Sequence, residues 1–364
     1  MKKLILLALL LIAPMASDAC TSAIFTGKVT QSGRPIMWKN RDTGELNNRV
    51  DKILANPAKG IKYTFIALVN STQAAEREAW SGTNEKGFSI MNTASYNLQD
   101  PNDKTPENTM DGEGSVMFKA LATCATLKDF EKMLDKMQKP FHVETNFGVI
   151  DAEGGAAYYE VNNYGWTKLD ANDPKIAPQG YIVYTNHSFT GRLDEGMGYI
   201  RYNNAKDNIS SFLGRGGKIT PKWVMNNLSR SYYHSLLGID LAKNPELAPN
   251  GWYIDQDFIP RRSTSAVTIV EGIYPGDKLE DITTWVAIGY PPISMINPVK
   301  VGEEIPEGLR RISEDDMTCT LCNQSLEIKK QIFPISRGNG KYYFNLKKTL
   351  EVMREIRILE EKIW

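Results

Sequence analysis

The sequence predicts an α+β fold, in which two antiparallel sheets stack face to face and are flanked by helices in a four-layer αββα sandwich. Three observations lead to this expectation. Short apolar segments separated by turn signals fill the first part of the chain, apolar residues at helical spacing follow, and strand-like segments then return. Short hairpins join strands antiparallel, and the intervening helices must cover the faces of the sheets.

The first part of the chain is predicted to consist mainly of strands, at residues 21–26, 35–38, 63–69, 78–81 and 88–92. The last two strands flank Asn84-Glu85-Lys86-Gly87, a turn with glycine where a positive φ is needed. Residues 100–114 are rich in Pro, Asn, Asp and Gly, which predicts an exposed loop.

Helices are predicted next, because apolar residues between positions 115 and 138 recur at helical spacing. This segment should form two short helices that divide near Thr126. Further strands are predicted at residues 146–150, 156–161, 181–185, 264–270 and 283–288, and further helices at 199–212, 221–229 and 345–364.

No segment has the character of a linker between two domains. We therefore expect one sandwich domain over residues 20–298 and a C-terminal extension over residues 299–364. The last helix of this extension should pack on the same domain, and a dimer contact is the alternative for it.

The first nineteen residues have the features of a secretory signal peptide. Lys2 and Lys3 give a positive start, residues 4–13 are apolar, and small residues stand at Ser17 and Ala19, where a signal peptidase reads the chain. The apolar segment is too short to span a membrane. The mature chain is thus expected outside the cytoplasm, in the periplasm or secreted, with Cys20 as its first residue.

Composition excludes several classes of protein. Lys plus Arg and Asp plus Glu both number 43, so no basic excess points to nucleic acid or to an anionic membrane surface. The four cysteines are too few for a disulfide scaffold. Cys319 and Cys322 are spaced C-x-x-C, which fits either a local disulfide or two free thiols. His142, His187 and His234 show no metal-ligand spacing, and no zinc site is predicted.

A cysteine at the processing site has a chemical consequence. The thiol of an N-terminal Cys20 is a nucleophile, and cleavage frees an α-amine with a pKa near ~7.7–8.0, against ~8.5 for the thiol. That amine can act as general base near neutral pH without a histidine. Two alternatives remain: cleavage elsewhere would leave Cys20 an ordinary buried thiol, and a lipoprotein signal would acylate it. Ser17 stands where a lipoprotein signal usually has an aliphatic residue.

A charged cluster, Lys39-Asn40-Arg41-Asp42, follows the second predicted strand directly. If residues 21–25 and 35–38 pair as a hairpin, Asp42 returns to the neighbourhood of Cys20. A carboxylate there could hold the α-amine, and a cation could favour the thiolate. The structural alternative for this cluster is a solvated loop.

These residues resemble those of the N-terminal nucleophile (Ntn) hydrolases that cleave linear amides, which include choloylglycine hydrolases, isopenicillin N acyltransferase, acid ceramidase and N-acylethanolamine acid amidase. The chain is most similar to the penicillin acyltransferase branch. The similar segments occur in order between Cys20 and Pro292: Cys20-Thr21, Asn40-x-Asp42, Gly82-Thr83-Asn84-Glu85-Lys86-Gly87-Phe88, Asn146-Phe147-Gly148-Val149-Ile150-Asp151-Ala152, Tyr184-Thr185-Asn186-His187, Arg261-Arg262-Ser263-Thr264 and Ala287-Ile288-Gly289-Tyr290-Pro291.

The resemblance implies a role for individual residues. Cys20 would be the nucleophile and, through its amine, the base; Asp42 would orient that amine, and Asn186 would donate to the oxyanion. Arg262 would be the late active-site arginine, with Arg261 nearly as good a match. The supporting candidates are Lys39, where bile salt hydrolases have arginine, and Asn92, with Asn97 as the alternative second oxyanion donor.

The resemblance therefore implies the Ntn hydrolase fold and an enzyme that hydrolyses non-peptide linear amides, or transfers their acyl group, through an acyl-thioester. It implies no metal and no organic cofactor, and a small N-acyl amide as substrate. Two other functions stay open: an N-terminal cysteine dipeptidase, and a non-catalytic binding protein anchored by lipid at Cys20.

Overall fold

The computed structural model describes residues 19–72, 77–110, 112–274, 276–338 and 340–364. Apart from Ala19, the predicted signal peptide lies outside the described residues. Among the helices that the structure describes, none is long and apolar enough to cross a membrane.

Within the described residues, the strands form two large antiparallel sheets and two small ones. In chain order they are β1 (Thr21–Phe25), β2 (Ile36–Asp42), β3 (Asn48–Ile53), β4 (Phe65–Asn70), β5 (Ser81–Asn84), β6 (Ser89–Ala94), β7 (Thr145–Ile150), β8 (Ala156–Val161), β9 (Trp166–Asp170), β10 (Tyr181–Tyr184), β11 (Tyr233–His234), β12 (Ile239–Asp240), β13 (Trp252–Ile254), β14 (Thr264–Glu271), β15 (Thr283–Ile288), β16 (Asn297–Val299), β17 (Ile335–Gly338) and β18 (Lys341–Asn345). Sheet A has the order β10-β1-β2-β14-β15-β16, and sheet B runs from β3 to β9 in sequence. The small sheets are β11-β12 and β13-β18-β17.

The helices are α1 (Glu113–Thr123), α2 (Leu127–Asp135), α3 (Tyr199–Gly214), α4 (Pro221–Val224), α5 (Thr320–Ile332) and α6 (Leu346–Glu360). A π-helical turn over Met225–Ser229 continues α4. Short 3₁₀ helices lie at Pro57–Lys59, Glu107–Thr109, Pro245–Leu247, Leu279–Asp281, Pro291–Ile293 and Glu307–Leu309.

The hydrophobic cores define four layers. Leu121 of α1 and Phe130 of α2 pack with Phe147 on the outer face of sheet B. Ile209 of α3 and Val224 of α4 lie in the core on the outer face of sheet A. Residues such as Ile24 of β1, Met91 of β6 and Tyr158 of β8 fill the space between the sheets. The predicted α+β fold with αββα layers is confirmed.

The β1–β2 hairpin forms as predicted, with Thr21 opposite Asn40. The charged cluster after it is not a solvated loop, because Lys39, Asn40, Arg41 and Asp42 belong to β2 itself and are all buried. The reason is that β2 is an interior strand, paired with β1 on one side and with β14 on the other.

Several boundaries of helices and turns lie where the local sequence predicted them. Thr126 caps α2 with a capping box, as its side chain accepts a hydrogen bond from the Asp129 amide, and Gly87 has a φ of 83° in its turn. The strand predicted at residues 78–81 instead begins at Ser81. Helix α5 and strands β3, β9, β11, β12, β13, β16, β17 and β18 were not predicted.

The C-terminal residues are tied to the sandwich by buried ionic groups. Arg230, after α4, makes an ion pair of 2.7 Å with Glu360 at the end of α6, and both side chains are almost fully buried. Lys329 of α5 donates to the Thr264 carbonyl of β14 at 2.9 Å.

Candidate active site

Cys20 lies directly before β1, at the end of an interior strand of sheet A, and is only 4% exposed. Its Sγ is 3.8 Å from the Asp42 carbonyl oxygen. The preceding residue, Ala19, extends the same ladder, because its amide donates to the Asp42 carbonyl at 3.2 Å. The hairpin thus brings the first residue of the expected mature chain beside Asp42.

The carboxylate of Asp42 is buried and held from two sides. Thr264, opposite it on β14, donates its hydroxyl to Oδ1 at 2.6 Å. Arg261 binds Oδ2 through Nε at 3.1 Å and through Nη2. The same Nη2 donates to the Ala19 carbonyl oxygen at 2.7 Å. Arg261 therefore bridges Asp42 and the peptide group that precedes Cys20.

Of the two adjacent arginines, Arg261 reaches Asp42 and Arg262 does not. The guanidinium of Arg262 lies 4.0 Å above the ring of Tyr342, and its backbone amide donates to Asp255. Arg262 lines a cavity of about 1190 Å³ beside α5, and neither Cys20 nor Asp42 is among the lining residues of that cavity.

Asn186 follows β10, the strand that pairs with β1 on its other side. Its Nδ2 donates to the carbonyl of Ala94 at the end of β6 in sheet B, at 2.8 Å. Its Oδ1 accepts a hydrogen bond of 2.8 Å from Arg201. Asn186 is fully buried and lies where the ends of the two sheets meet.

Arg201, on the first turn of α3, was not identified from the sequence. Its Nη1 donates to the Cys20 carbonyl at 2.6 Å and to the Thr21 hydroxyl at 2.9 Å. Only 1% of the side chain is exposed. A signal was available, since Arg201 shares the buried face of α3 with Ala205 and Ile209, where an apolar residue would be expected.

The two supporting candidates contact each other. Lys39 Nζ donates to Asn92 Oδ1 at 2.7 Å and to the Trp80 carbonyl at 2.8 Å, which links sheet A to sheet B. Asn92 Nδ2 in turn donates to Thr145. Asn97, the alternative to Asn92, holds the loop after β10 through the carbonyls of Ser188 and Arg192.

Burial shapes the electrostatics of this region. Burial lowers the pKa of Arg201 to about 9, and repulsion from Arg261 acts in the same direction, whereas Asp42 and Cys20 oppose it. Burial also acts to lower the pKa of Arg261, but its ion pair with Asp42 outweighs this, and the net shift is upward. Burial lowers the pKa of His187, which stacks on Tyr199.

The remaining cysteines have other surroundings. Cys319 and Cys322 are free thiols that donate to the carbonyls of Asn48 and Leu46, and so anchor the segment between β2 and β3. Cys124 is buried in the core under sheet B. Within the described ranges, no group of three or more His, Cys, Asp or Glu side chains is arranged to hold a metal ion.

No protein-family model matches the chain, and no curated protein matches it. The chain is similar to a number of solved structures. Three of them are a Caenorhabditis elegans N-acylethanolamine-hydrolyzing acid amidase ortholog (14% identity, 69% of this chain and 92% of that chain, TM-score 0.45), a mutant conjugated bile acid hydrolase from Clostridium perfringens (12%, 79% and 93%, 0.42) and penicillin V acylase from Agrobacterium tumefaciens (13%, 78% and 87%, 0.44). At such identities and TM-scores these likenesses carry no argument about activity, which must come from the geometry around Cys20.

Proposed function

We propose that the mature chain is an amidohydrolase of non-peptide linear amides, with Cys20 as an N-terminal nucleophile that forms an acyl-thioester. One observation carries this proposal. The thiol of Cys20 lies at a buried strand end beside Asp42, whose carboxylate is clamped by Arg261 and Thr264.

Cleavage between Ala19 and Cys20 would create the general base. It would free the α-amine of Cys20 next to Asp42, and it would remove the Ala19 carbonyl that Arg261 now binds. A carboxylate at hydrogen-bond range holds an ammonium group and orients its protons. This processing, and with it a location outside the cytoplasm, is part of the proposal.

The reaction then has two balanced steps. The thiol proton passes to the α-amine while Sγ attacks the acyl carbon, and the C–N bond breaks as the departing amine takes that proton. Water next attacks the thioester, the α-amine accepts a proton from it, and the carboxylic acid leaves as the thiol is restored. If an amine replaces water in the second step, the outcome is acyl transfer.

Asn186 is the proposed donor to the oxyanion of both tetrahedral intermediates. It lies at the junction of the two sheets and is linked to the Cys20 carbonyl through Arg201. Loss of one such donor typically lowers kcat by ~10²–10³. Asp42 acts on the α-amine and does not itself need to gain or lose a proton.

The test is a comparison of two cysteine variants of the processed protein. Intact mass should show a chain that begins with an unmodified Cys20, and a panel of N-acyl amides and dipeptides should reveal hydrolysis of the amides. We expect Cys20→Ala to abolish turnover, because the nucleophile is lost. Cys124→Ala should retain it, because that thiol is in the core under sheet B.

Three outcomes would contradict the proposal. Turnover that survives in Cys20→Ala would exclude the thiol as nucleophile. A lipid-modified Cys20 would remove the base and favour a binding protein. Preferential cleavage of dipeptides would favour a dipeptidase that uses the same residues.

A further inference from the structure

We propose that Arg201 is a positioning residue that holds Cys20 and Asn186 in one frame and sets the orientation of the Asn186 amide. In this orientation the amide presents its nitrogen, and not its oxygen, to a substrate oxyanion. The inference rests on the proposed function, because a cysteine that cleaves amides needs such a donor.

The guanidinium of Arg201 contacts both partners directly. Nη1 donates to the backbone carbonyl of Cys20 at 2.6 Å, and Nη2 donates to Oδ1 of Asn186 at 2.8 Å. The first contact fixes the start of β1, and the second fixes a side chain on the loop after β10. One rigid planar group therefore sets the distance between nucleophile and oxyanion donor.

The chemistry at both ends of the Asn186 amide selects one orientation. Arginine has only donors, so its guanidinium can face only the amide oxygen. The Ala94 carbonyl is only an acceptor, so it can face only Nδ2, which it accepts at 2.8 Å. A rotation by half a turn would lose both hydrogen bonds and would turn an acceptor toward the oxyanion.

The glycine at position 198 leaves open the space that the guanidinium of Arg201 occupies. Gly198, just before α3, has a φ of 86°, which favours glycine. A Cβ on Gly198 would lie 2.4 Å from Nη2 of Arg201 and 2.9 Å from Cβ of Thr185. A side chain at position 198 would therefore displace the guanidinium from Asn186.

Burying the guanidinium of Arg201 at this place lowers the stability of the fold, which is unexpected if its role is only structural. Its hydrogen-bond partners are neutral oxygens of Cys20, Thr21 and Asn186, and Nε has no hydrogen-bond partner in the part of the chain that the structure describes. Burying a guanidinium without a directly bonded carboxylate is unfavourable, and an apolar residue would normally be preferred on this face of α3.

The first test follows the amide of Asn186 without reference to activity. The mature protein is labelled with ¹⁵N-asparagine, and the Asn186 side-chain signals are identified by their loss in Asn186→Ala. Arg201→Lys keeps the positive charge but removes the planar guanidinium with its two donor nitrogens. We expect it to speed the exchange of these amide protons with solvent at least about tenfold. Arg215→Lys is the matched control and should leave the exchange unchanged, because Arg215 lies just beyond the far end of α3, where its guanidinium donates to Ser211.

Unchanged exchange of the Asn186 amide in Arg201→Lys would overturn the positioning role. If Arg201→Lys does not fold, Arg201→Gln is measured in its place with the same expectation and the same criterion.

The second test is kinetic and uses a double-mutant cycle. We expect Arg201→Lys to lower kcat about 10- to 100-fold with little change in KM, as is typical for groups that orient reacting groups. In an Asn186→Ala background the same change should cost less, because the part of its effect that passes through Asn186 is already lost. Equal losses in both backgrounds would overturn the inference.

The two tests separate the inference from the proposed function. If the wild-type protein hydrolyses no amide, the proposed function fails, and the exchange rates of the Asn186 amide still decide whether Arg201 holds it.

Discussion

At the scale of single residues, the site depends on which of two adjacent arginines turns inward. Arg261 binds the Asp42 carboxylate with two nitrogens and also reaches the Ala19 carbonyl. Arg262, one position later, stacks on Tyr342 instead. The sequence resemblance favoured Arg262 by a small margin, because sequence alone does not give the register of a loop entering a strand.

The pair provides a matched test of the site arginine. Arg261→Lys should lower kcat/KM at least about tenfold, because a single ammonium cannot reproduce a planar fork on Asp42. Arg262→Lys should change it less than about threefold, and both are measured by steady-state hydrolysis of the best N-acyl amide. Similar losses in the two variants would show that Asp42 does not depend on Arg261.

Asp42 and Arg201 show what a sequence can and cannot reveal about such a site. The closeness of Asp42 to Cys20 could be predicted because a hairpin returns the chain within a short stretch, and the hydrogen bond from the Ala19 amide to the Asp42 carbonyl agrees with this. Arg201 was missed because its contact with Cys20 joins residues 181 positions apart. No local sequence pattern predicts a contact between residues so far apart in the chain. The contact arises from the packing of α3 on sheet A.

At the scale of secondary-structure elements, the predicted elements are those with a clear apolar period. Strand β3 was not predicted because charged residues interrupt its apolar pattern. Arg49 is nevertheless buried in this strand, where it forms an ion pair with Asp51. Helix α5 was not predicted because its N-cap residue is Cys319. This side chain makes no capping hydrogen bond, and cysteine is not among the residues that indicate the start of a helix. In both cases tertiary contacts stabilise an element that the local sequence pattern does not indicate.

Helix α6 offers a stability test with adjacent glutamates. Glu360 is almost fully buried with Arg230, whereas Glu361 pairs with Lys222 at the surface. Glu360→Ala should lower the unfolding free energy by about 3–5 kcal/mol, because it strands a buried charge. Glu361→Ala should cost less than about 1 kcal/mol. Urea unfolding measures both; comparable values would mean that the Arg230–Glu360 pair does not anchor α6.

At the scale of the whole molecule, buried ionisable groups make stability depend on pH. Lys329, fully buried in α5, has its pKa lowered from 10.5 to about 7 by burial and by the neighbouring charge of Arg262. The unfolded chain therefore binds this proton more readily than the folded chain between these two values. The contribution of Lys329 to stability is unfavourable at low pH and improves as pH rises through that window.

We therefore expect the unfolding free energy of the wild-type protein to rise between pH 7 and pH 9 more steeply than that of Lys329→Met, by about 1 kcal/mol per pH unit. Lys330→Met, which removes the exposed neighbour bonded to Glu327, should keep the wild-type slope. Urea titrations at several pH values supply the slopes. Parallel curves for wild type and Lys329→Met would contradict the assignment.

The strand order of the two sheets also determines which sheet can form first during folding. Sheet B is assembled from consecutive strands between Asn48 and Asp170, so each new strand meets a neighbour that has just been synthesised. Sheet A must wait, because β1 lies between β2 and β10, and β2 pairs with β14, whose residues come more than two hundred positions after Cys20. Contacts so distant in sequence form slowly. Cys20 is therefore enclosed late, after most of the polypeptide has been made, and its surroundings are completed only when sheet B already exists.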